Sequence, residues 1–204
     1  MSVKERRDRE KEELRQVILD AAREMFATEG YESVSMRKIA DKIDYSPTTI
    51  YLYFKDKNDL LAQICEDTFA KLYRRMQKIG RENQNAYKCL RKLIKAYIEF
   101  GLQHPHHYEI TFMAPVWNNL EAGGEYKYEG SMGERTFGSL RSVIAAAINE
   151  GSLKKGNVDA IAQTAWAAMH GLTSLLIGHG DFPFVAKEKL IDCLTEMILN
   201  GLKA

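Results

Sequence analysis

The sequence predicts an all-α fold, and three observations support this. Apolar residues recur at three- and four-residue spacings over long stretches, as in helices that bury one face. No segment alternates apolar and polar residues over a useful length, as a half-buried strand would. Helix stop and start signals, such as Gly30 and Ser46-Pro47, divide the chain. The 204 residues suffice for a small helical domain and a larger one.

The first predicted helix follows a charged arm. Residues 1–11 mix basic and acidic side chains closely, so we expect a flexible arm that becomes ordered only on meeting a partner. The apolar stripe of the helix then begins, and Gly30 supplies a left-handed stop. The inward-facing residues of this stripe are Leu14, Val17, Ile18, Ala21, Ala22, Met25 and Phe26.

Two short helices and a long one are predicted next. Ser33 or Ser35 caps the first of them, and its inward residues are Met36, Ile39, Ala40 and Ile43. Asp44-Tyr45 forms a tight connection, for which Asp44 tolerates the left-handed conformation. Ser46 as N-cap and Pro47 at the first helical position start a brief helix over 47–54. Asp56 caps a fourth helix that runs to about Gly80.

The remaining chain predicts five further helices, over residues 87–103, 108–117, 131–150, 158–178 and 184–202. Breaks are predicted at His104-Pro105, in the loop 121–130, at 151–157 and at 180–183. The C-terminal part therefore predicts a larger helical domain.

Composition excludes several classes of protein. The net charge is +1, and residues 1–60 carry twelve Lys/Arg against thirteen Asp/Glu, so bulk charge does not indicate nucleic-acid binding. No apolar run approaches the roughly 20 residues that span a bilayer, and the charged N-terminus lacks the apolar core of a signal peptide. We expect no membrane partner and a cytoplasmic location. No nucleophile elbow, HExxH, Walker loop or GxGxxG is present, which speaks against an enzyme.

Cysteine and histidine do not predict a metal site or a cofactor. Cys65, Cys89 and Cys193 are far apart and form no CxxC pair, which favours buried thiols, with redox sensing as the alternative. His104, His106 and His107 straddle a proline, without a cysteine or carboxylate at ligand spacing. We therefore expect no metal and no cofactor.

The segment 35–61 carries the functional signal. Two short helices joined by a turn of about three residues cross steeply, which lets the second helix lie in the DNA major groove. The segment resembles the N-terminal region of the TetR family, with its IA…S…YxYFxxKxxLL pattern. The matching residues are Ile39, Ala40, Ser46, Thr49, Tyr51, Tyr53, Phe54, Lys57, Leu60 and Leu61, with Phe26, Gly30 and Tyr31 fitting upstream. The family's usual turn glycine and small apolar residue are replaced by Asp44-Tyr45.

The resemblance implies three parts: an arm over 1–11, a helix-turn-helix DNA-binding domain over 12–65 with its motif at 35–54, and a helical effector-binding and dimerisation domain over 66–204. The implied DNA-binding residues are Ser35, Arg37, Ser46, Pro47, Thr48, Thr49, Tyr51, Tyr53 and Lys57.

The chemistry of these side chains agrees with DNA contacts. Thr48 and Thr49 can form a hydrogen bond with a base edge or contact a thymine methyl group. Arg37 can form hydrogen bonds with guanine or with a phosphate. The resemblance gives Lys57 a phosphate contact, and a solvated lysine is the alternative. The alternative for these tyrosines is an aromatic position in the core. This alternative has more weight for Tyr51 than for Tyr53, which flanks a charged break. The basic residues of the arm could add phosphate or minor-groove contacts, or stay solvated; they are Lys4, Arg6, Arg7, Arg9 and Lys11.

The C-terminal part resembles the WHG type of this family. Thr164–Gly178 carries its Trp-xxx-His-Gly pattern, and the stretch 104–115 is similar to a helix entry found there. The family resemblance implies a homodimer, in which two helices of each subunit close a four-helix bundle. The predicted interface residues are Ile161, Ala165, Leu172, Leu190, Leu194 and Ile198. Packing of these faces within one subunit is the alternative.

Aromatic residues and methionine in the middle helices predict a pocket for an apolar or aromatic effector, although such residues are often plain core. The candidates are Tyr97, Phe100, Tyr108, Phe112, Met113, Trp117, Trp166 and His170.

The sequence as a whole predicts a DNA-binding transcription regulator, a dimeric repressor that an effector releases from a palindromic operator. A DNA-binding protein without an effector is the first alternative. A helical enzyme is the second.

Overall fold

The computed structural model describes residues 2–82, 85–113 and 127–204. These residues form helices and loops, with one isolated bridge between Leu153 and Lys203. The helices are α1 Val3–Glu29, α2 Met36–Lys42, α3 Pro47–Tyr51, α4 Lys57–Glu82, α5 Ala86–Gln103, α6 Pro105–Tyr108, a π-helical turn Glu109–Met113, α7 Met132–Asn149, α8 Val158–Gly178 and α9 Lys187–Leu202. The predicted all-α class is confirmed. Residues 114–117 of the predicted helix 108–117 lie outside the described residues. Residues 121–126 of the predicted loop 121–130 also lie outside them.

Residues 3–11 of the predicted arm belong to α1, which begins at Val3. Ser2 caps it reciprocally: its hydroxyl accepts a hydrogen bond from the Glu5 amide, while the Glu5 carboxylate accepts one from the Ser2 amide. Ion pairs at a four-residue spacing, such as Arg6–Glu10, add to the helix. Mixed charge therefore stabilises a helix here. Gly30 ends it with φ +82° and ψ 146°, a positive φ outside the predicted left-handed helical conformation.

The chain divides into two compact units. The N-terminal unit comprises the residues up to Asp67 and the segment His106–Lys127, and the C-terminal unit comprises Thr68–Pro105 and Tyr128–Ala204. The predicted boundary at residue 65 thus falls inside α4. Ile110 of the π-helical turn, which falls within the predicted domain 66–204, is buried in the core of the N-terminal unit.

The core of the N-terminal unit holds α2 and α3 against α1 and α4. Ile39 of α2 and Ile50 of α3 are fully buried, together with Phe54, Leu60 and Leu61. Each of these apolar side chains stabilises the unit by about 1.5–3 kcal/mol on burial. The two short helices have few intrahelical hydrogen bonds, so this packing fixes where they lie.

The C-terminal unit is built around α5. This helix packs against α7, α8 and α9, and it buries Leu90, Leu93, Ile94 and Ile98. Arg91–Glu196 and Lys95–Asp192 ion pairs join α5 to α9. Within the described ranges, no helix combines the length and apolar character that crossing a bilayer requires.

Candidate nucleic-acid interface

The turn between α2 and α3 adopts the conformation that the sequence predicts. Asp44 has φ 59°, and among the described residues it is the only non-glycine with positive φ. The Tyr45 amide donates a hydrogen bond of 3.0 Å to the Ala40 carbonyl, which fixes the path of the chain into α3. Ser35 caps α2 by accepting from the Lys38 amide at 3.2 Å. Ser35 is thus placed in a capping role.

The threonines of α3 differ in what their side chains do. Ser46 caps α3 by accepting from the Thr49 amide at 3.1 Å, and its hydroxyl also bonds the Thr49 hydroxyl at 2.9 Å. Pro47 occupies the first helical position, as predicted. Thr48 is exposed. Of the two threonines, Thr48 is therefore the exposed one, whereas Thr49 uses its hydroxyl within the cap.

The aromatic residues after Thr49 point in different directions. Tyr51 is 53% exposed, so the alternative of a core position is wrong for it. Tyr53 is partly buried and packs against the core of the N-terminal unit, in contrast to the sequence-based preference. The physical reason is the 3.6-residue period: Ile50 and Phe54 face the core, and Tyr53 lies beside Phe54 on that side.

Lys57 is held inside the unit. Its Nζ donates hydrogen bonds of 2.9 Å to the Tyr31 carbonyl and 3.1 Å to the Val34 carbonyl. A cation at the start of α4 opposes the helix dipole, and these two carbonyls offset that cost. The alternative of a solvated lysine is therefore wrong. The phosphate contact stays a prediction. The two carbonyls use two of the three ammonium protons of Lys57, and the third could be donated to a phosphate.

The cations near α2 and α3 are mostly paired. Lys38 pairs with Glu29 at 3.2 Å and Lys42 with Glu24 at 3.0 Å. Arg37 is exposed, and no ion pair is found for it within the described ranges. Arg37 is therefore the cation at the start of α2 that is available to a phosphate or a guanine.

Two exposed residues of this region were not among the DNA-binding residues predicted from the sequence. Tyr45 is 46% exposed and Leu52 is 75% exposed. Leu52 looks like a core residue by type, and only its spacing of two residues from Ile50 and Phe54 indicates that it faces outward. An exposed leucine of this kind can meet a thymine methyl group.

The predicted effector residues are divided between the two units. In the C-terminal unit the Trp166 indole N–H donates to the Tyr97 hydroxyl at 3.0 Å, and the rings of Trp166 and His170 are 6.2 Å apart. Burial lowers the pKa of His170, so the ring favours its neutral form. Phe100 is buried in the same unit.

The other predicted effector residues belong to the N-terminal unit. The rings of Tyr108 and Phe112 are 4.7 Å apart there, and Met113 is exposed. Trp117 lies outside the described residues.

The predicted interface residues lie along α8 and α9. An open apolar groove with a volume of about 400 Å³ runs between these helices, and Ile161, Ala165 and Ile198 line it. Leu172, Leu190 and Leu194 are partly buried, and Met197 beside them is 67% exposed. The single chain thus leaves apolar surface uncovered on these two helices.

The cysteines and histidines do not form a reactive centre in the described chain. Burial raises the pKa of the Cys65 thiol to about 12, so it stays protonated and unreactive at neutral pH. Cys89 is also buried, and Cys193 is exposed. His106 lies 3.5 Å from Glu109, and no group of three metal-ligating side chains occurs within the described ranges.

Comparison with known families gives two matches along this chain. Residues 18–64 match the bacterial regulatory proteins of the tetR family. Residues 90–198, more than half of the chain, match the tetracyclin repressor-like C-terminal domain. The two matches cover both the helix-turn-helix region and most of the C-terminal unit.

Individual relatives are similar over parts of their length. The fatty acid metabolism regulator protein of Bacillus subtilis is 34% identical over 80 residues, which are 39% of this chain and 41% of the relative. The HTH-type transcriptional repressor KstR of Mycolicibacterium smegmatis is 26% identical over 139 residues, 68% of this chain and 65% of the relative. The chain spans about half the length of the curated relatives it matches.

Solved structures share the fold over nearly the whole chain. The transcriptional regulator FadR from Bacillus subtilis, solved in complex with stearoyl-CoA, superposes with a TM-score of 0.80 at 22% identity. This match covers 92% of this chain and 98% of FadR. At that identity the likeness shows the fold.

Proposed function

Because the chain belongs to the tetR family of bacterial regulatory proteins, we propose that it is a transcriptional repressor that binds double-stranded DNA sequence-specifically. The observation that carries the proposal is the two-sided character of the short helices. Ile39 and Ile50 are fully buried, whereas Arg37, Thr48 and Tyr51 are exposed. The outward side thus carries a cation, a hydroxyl with a methyl group, and a phenol, which suit phosphates and base edges.

In this proposal α3 lies in the major groove. Thr48 reads a base edge, Tyr51 contacts the backbone or a thymine methyl group, and Arg37 contacts a phosphate or guanine. Ser35 and Ser46 keep α2 and α3 in place through their caps. Lys57 adds a phosphate contact with its remaining proton.

We propose that the functional form is a homodimer that binds an inverted repeat. Support comes from the uncovered apolar surface on α8 and α9, including the groove and the exposed Met197. Two copies of this surface would bury it in a four-helix bundle. A two-fold protein imposes its symmetry on the DNA site, with half-sites about one helical turn or a multiple of it apart.

We propose an apolar effector that lowers DNA affinity. FadR was solved with stearoyl-CoA, and another similar protein is named a ketosteroid regulator. The residues Tyr97, Phe100, Trp166 and His170 supply apolar and aromatic surface in the C-terminal unit. α4 contributes residues to both units, so a ligand that shifts this helix would act on Lys57. Such a coupling is typically about 1–3 kcal/mol.

Selection of bound duplexes from a random pool tests the DNA-binding proposal. We expect an enriched inverted repeat, and its absence together with equal affinity for all sequences would contradict a sequence-specific repressor.

The effector proposal has a separate test, with stearoyl-CoA as the first probe. Its affinity for the protein is measured with and without a saturating amount of the selected duplex. Linkage requires that DNA weaken effector binding by the same factor by which the effector weakens DNA binding. Equal affinity in the two cases would show that the bound ligand is not a switch.

A further inference from the structure

The loop between α8 and α9 carries two phenylalanine rings that the single chain leaves largely uncovered. Phe182 is 60% exposed, and its ring centroid lies 4.5 Å from that of the half-buried Phe184. Val185 beside them is also exposed. An exposed apolar patch at a defined place on the surface is typical of an interaction site.

Hydrogen bonds hold this aromatic pair in one shape. The Phe182 amide donates to the His179 carbonyl at 3.1 Å, and the Phe184 amide donates to the Phe182 carbonyl at 2.7 Å. The second bond closes a three-residue turn around Pro183, whose ring fixes its own backbone angle φ. The two rings are therefore preorganised, which lowers the entropy cost of docking them on another surface.

A recess of matching size lies at the opposite end of the same two helices. The open apolar groove of about 400 Å³ is lined by side chains from residues 160–168 of α8 and 198–202 of α9. A cavity of about 150 Å³ can hold one benzene ring, so the groove has room for two phenyl rings. We call residues 153–168 and 198–203 the groove end, and residues 179–189 the loop end.

A two-fold dimer can bring the loop end and the groove end together. When two α8/α9 faces pack against each other, the symmetry axis lies in the plane of contact, either along the helices or across them. An axis across the helices makes the partner helices antiparallel and sets each loop end over the groove end of the other subunit. An axis along the helices sets groove against groove and loop against loop.

The middle of α8 is open where an axis across the helices would pass. Thr164, which lines the groove, and Gly178, at the loop end of α8, lie about 21 Å apart along the helix at 1.5 Å per residue. Gly171 is midway between them, and a β-carbon added there would meet no atom of the described chain within 4 Å. A residue beside a two-fold axis faces its own copy, and glycine leaves room for that approach.

The charges at the two ends favour the same arrangement. The bridge between residues 153 and 203 places three exposed lysines at the groove end, namely Lys154, Lys155 and Lys203. The Asp159 carboxylate at this end pairs with Arg141. The loop end carries two lysines and two carboxylates and is neutral overall. Groove against groove would therefore bring like charges together, whereas loop against groove does not.

We propose that Phe182 and Phe184 of each subunit insert into the α8–α9 groove of the other subunit, so that two identical aromatic contacts lock the ends of the dimer interface. The proposal rests on the proposed homodimer, and it adds the direction of the helices and the occupant of the groove. A second copy of this chain is the occupant because the chain itself carries a rigid ring pair of the size that the groove accepts.

A cycle of size changes tests the contact. A β-carbon added at Gly201 would meet no atom of the described chain within 4 Å, so Gly201→Leu fills the groove without a clash inside the subunit. Phe182→Ala removes one ring from the loop. Sedimentation equilibrium gives the dissociation constant of the dimer, and circular dichroism checks the fold. Tyr128→Ala, which removes another exposed aromatic side chain of the C-terminal unit, is the control.

Each single change should weaken the dimer by about tenfold or more, as loss of a well-buried interface side chain does. The double variant should dimerise at least as tightly as Gly201→Leu alone, because removal of the ring makes room for the leucine. Tyr128→Ala should leave the dissociation constant unchanged. Additive losses in the double variant, or no loss in Phe182→Ala, would overturn the contact.

Disulfide trapping gives the direction of the helices. The background variant Cys193→Ser removes the exposed cysteine. In this background, Phe182→Cys combined with Thr164→Cys should form a covalent dimer on oxidation, and neither change alone should do so. A covalent dimer from either single change would indicate parallel helices and overturn the proposal, as would a double variant that forms none.

The oligomeric state of the parent protein separates this result from the proposed function. A parent that stays monomeric at all concentrations would overturn both the homodimer and the aromatic contacts. A parent dimer whose variants give the contrary results above would overturn the aromatic contacts alone.

Discussion

The ammonium group of Lys57 lies 4.1 Å from the centroid of the Tyr31 ring, and the same group bonds the Tyr31 carbonyl. Tyr31 follows the glycine that ends α1, and Lys57 is the first residue of α4. The Tyr31 hydroxyl in turn donates to the side chain of Asn58. One residue pair therefore joins the end of α1 to the start of α4.

Replacement of Lys57 by methionine should lower the free energy of unfolding by about 1–2 kcal/mol, because two charge-assisted hydrogen bonds and a cation–π contact are lost. Urea unfolding measures the change. Lys55→Met is the matched control: the Lys55 side chain is exposed and lies 3.6 Å from Asp56, so less than about 0.5 kcal/mol is expected. Equal effects would contradict the internal role of Lys57.

The predicted phosphate contact of Lys57 has its own measurement. In Lys57→Met the salt slope should fall by about one, equally on the selected duplex and on random DNA. An unchanged slope in a folded variant would leave Lys57 with the internal role alone.

Thr48→Ala should reduce the ratio of specific to random binding by about 1 kcal/mol, because an exposed hydroxyl and methyl group are removed from α3. Thr49→Ala should reduce this ratio less, since the Thr49 hydroxyl bonds Ser46 at 2.9 Å. Competition between the selected duplex and random DNA gives both ratios. A larger effect for Thr49 would show that its hydroxyl leaves the cap on binding.

The helices were predictable from the sequence, but some of the contacts between them were not. Caps and apolar spacing are local, so Ser35, Ser46 and the helix over Val158–Gly178 were predictable. The burial of Ile110 in the N-terminal unit depends on contacts far apart in the sequence. The internal bonds of Lys57 depend equally on where the chain passes after α1. No local sequence pattern predicts either contact.

Asp67→Ala should lower the free energy of unfolding by about 3 kcal/mol. The Arg23 side chain is only 6% exposed, and its guanidinium bonds Asp67 at 2.9 Å. Removal of the carboxylate leaves a buried cation with Asp20 as its remaining ion-pair partner in the described chain. Chemical denaturation measures the loss.

The double variant Arg23→Met with Asp67→Leu is the control for this pair. It replaces both charges by apolar groups of similar size and should recover most of the stability. If the double variant is as unstable as Asp67→Ala, the loss does not come from an unpaired charge.

Met197→Glu should dissociate the proposed dimer, because each subunit would have to bury a carboxylate in an apolar interface. Met197 is two-thirds exposed in the single chain, so the fold of the subunit should be retained. Leu194→Glu should act in the same direction. Light scattering at micromolar concentration measures the mass, with Lys189→Glu, on another face of α9, as the control. A dimer in all three variants would place the interface elsewhere.

His170 should make stability depend on pH. Burial lowers its pKa in the folded protein, so the unfolded chain binds a proton more readily. The stability associated with the neutral ring is therefore fully present above pH 6.5, which is the ordinary pKa of a histidine side chain. It is lost as the pH falls from there through the lowered pKa of the folded state.

His170→Gln should flatten this dependence, because glutamine cannot take up the proton. Urea unfolding at pH 7.5 and pH 5.5 gives the loss in each protein, with exposed His179→Gln as the control. The parent and the His179 variant should lose more stability on acidification than the His170 variant does. Since Trp166 adjoins His170, an apolar effector bound there should also weaken at pH 5.5, through protonation of the ring. Equal losses in all three proteins would mean that another group causes the pH dependence.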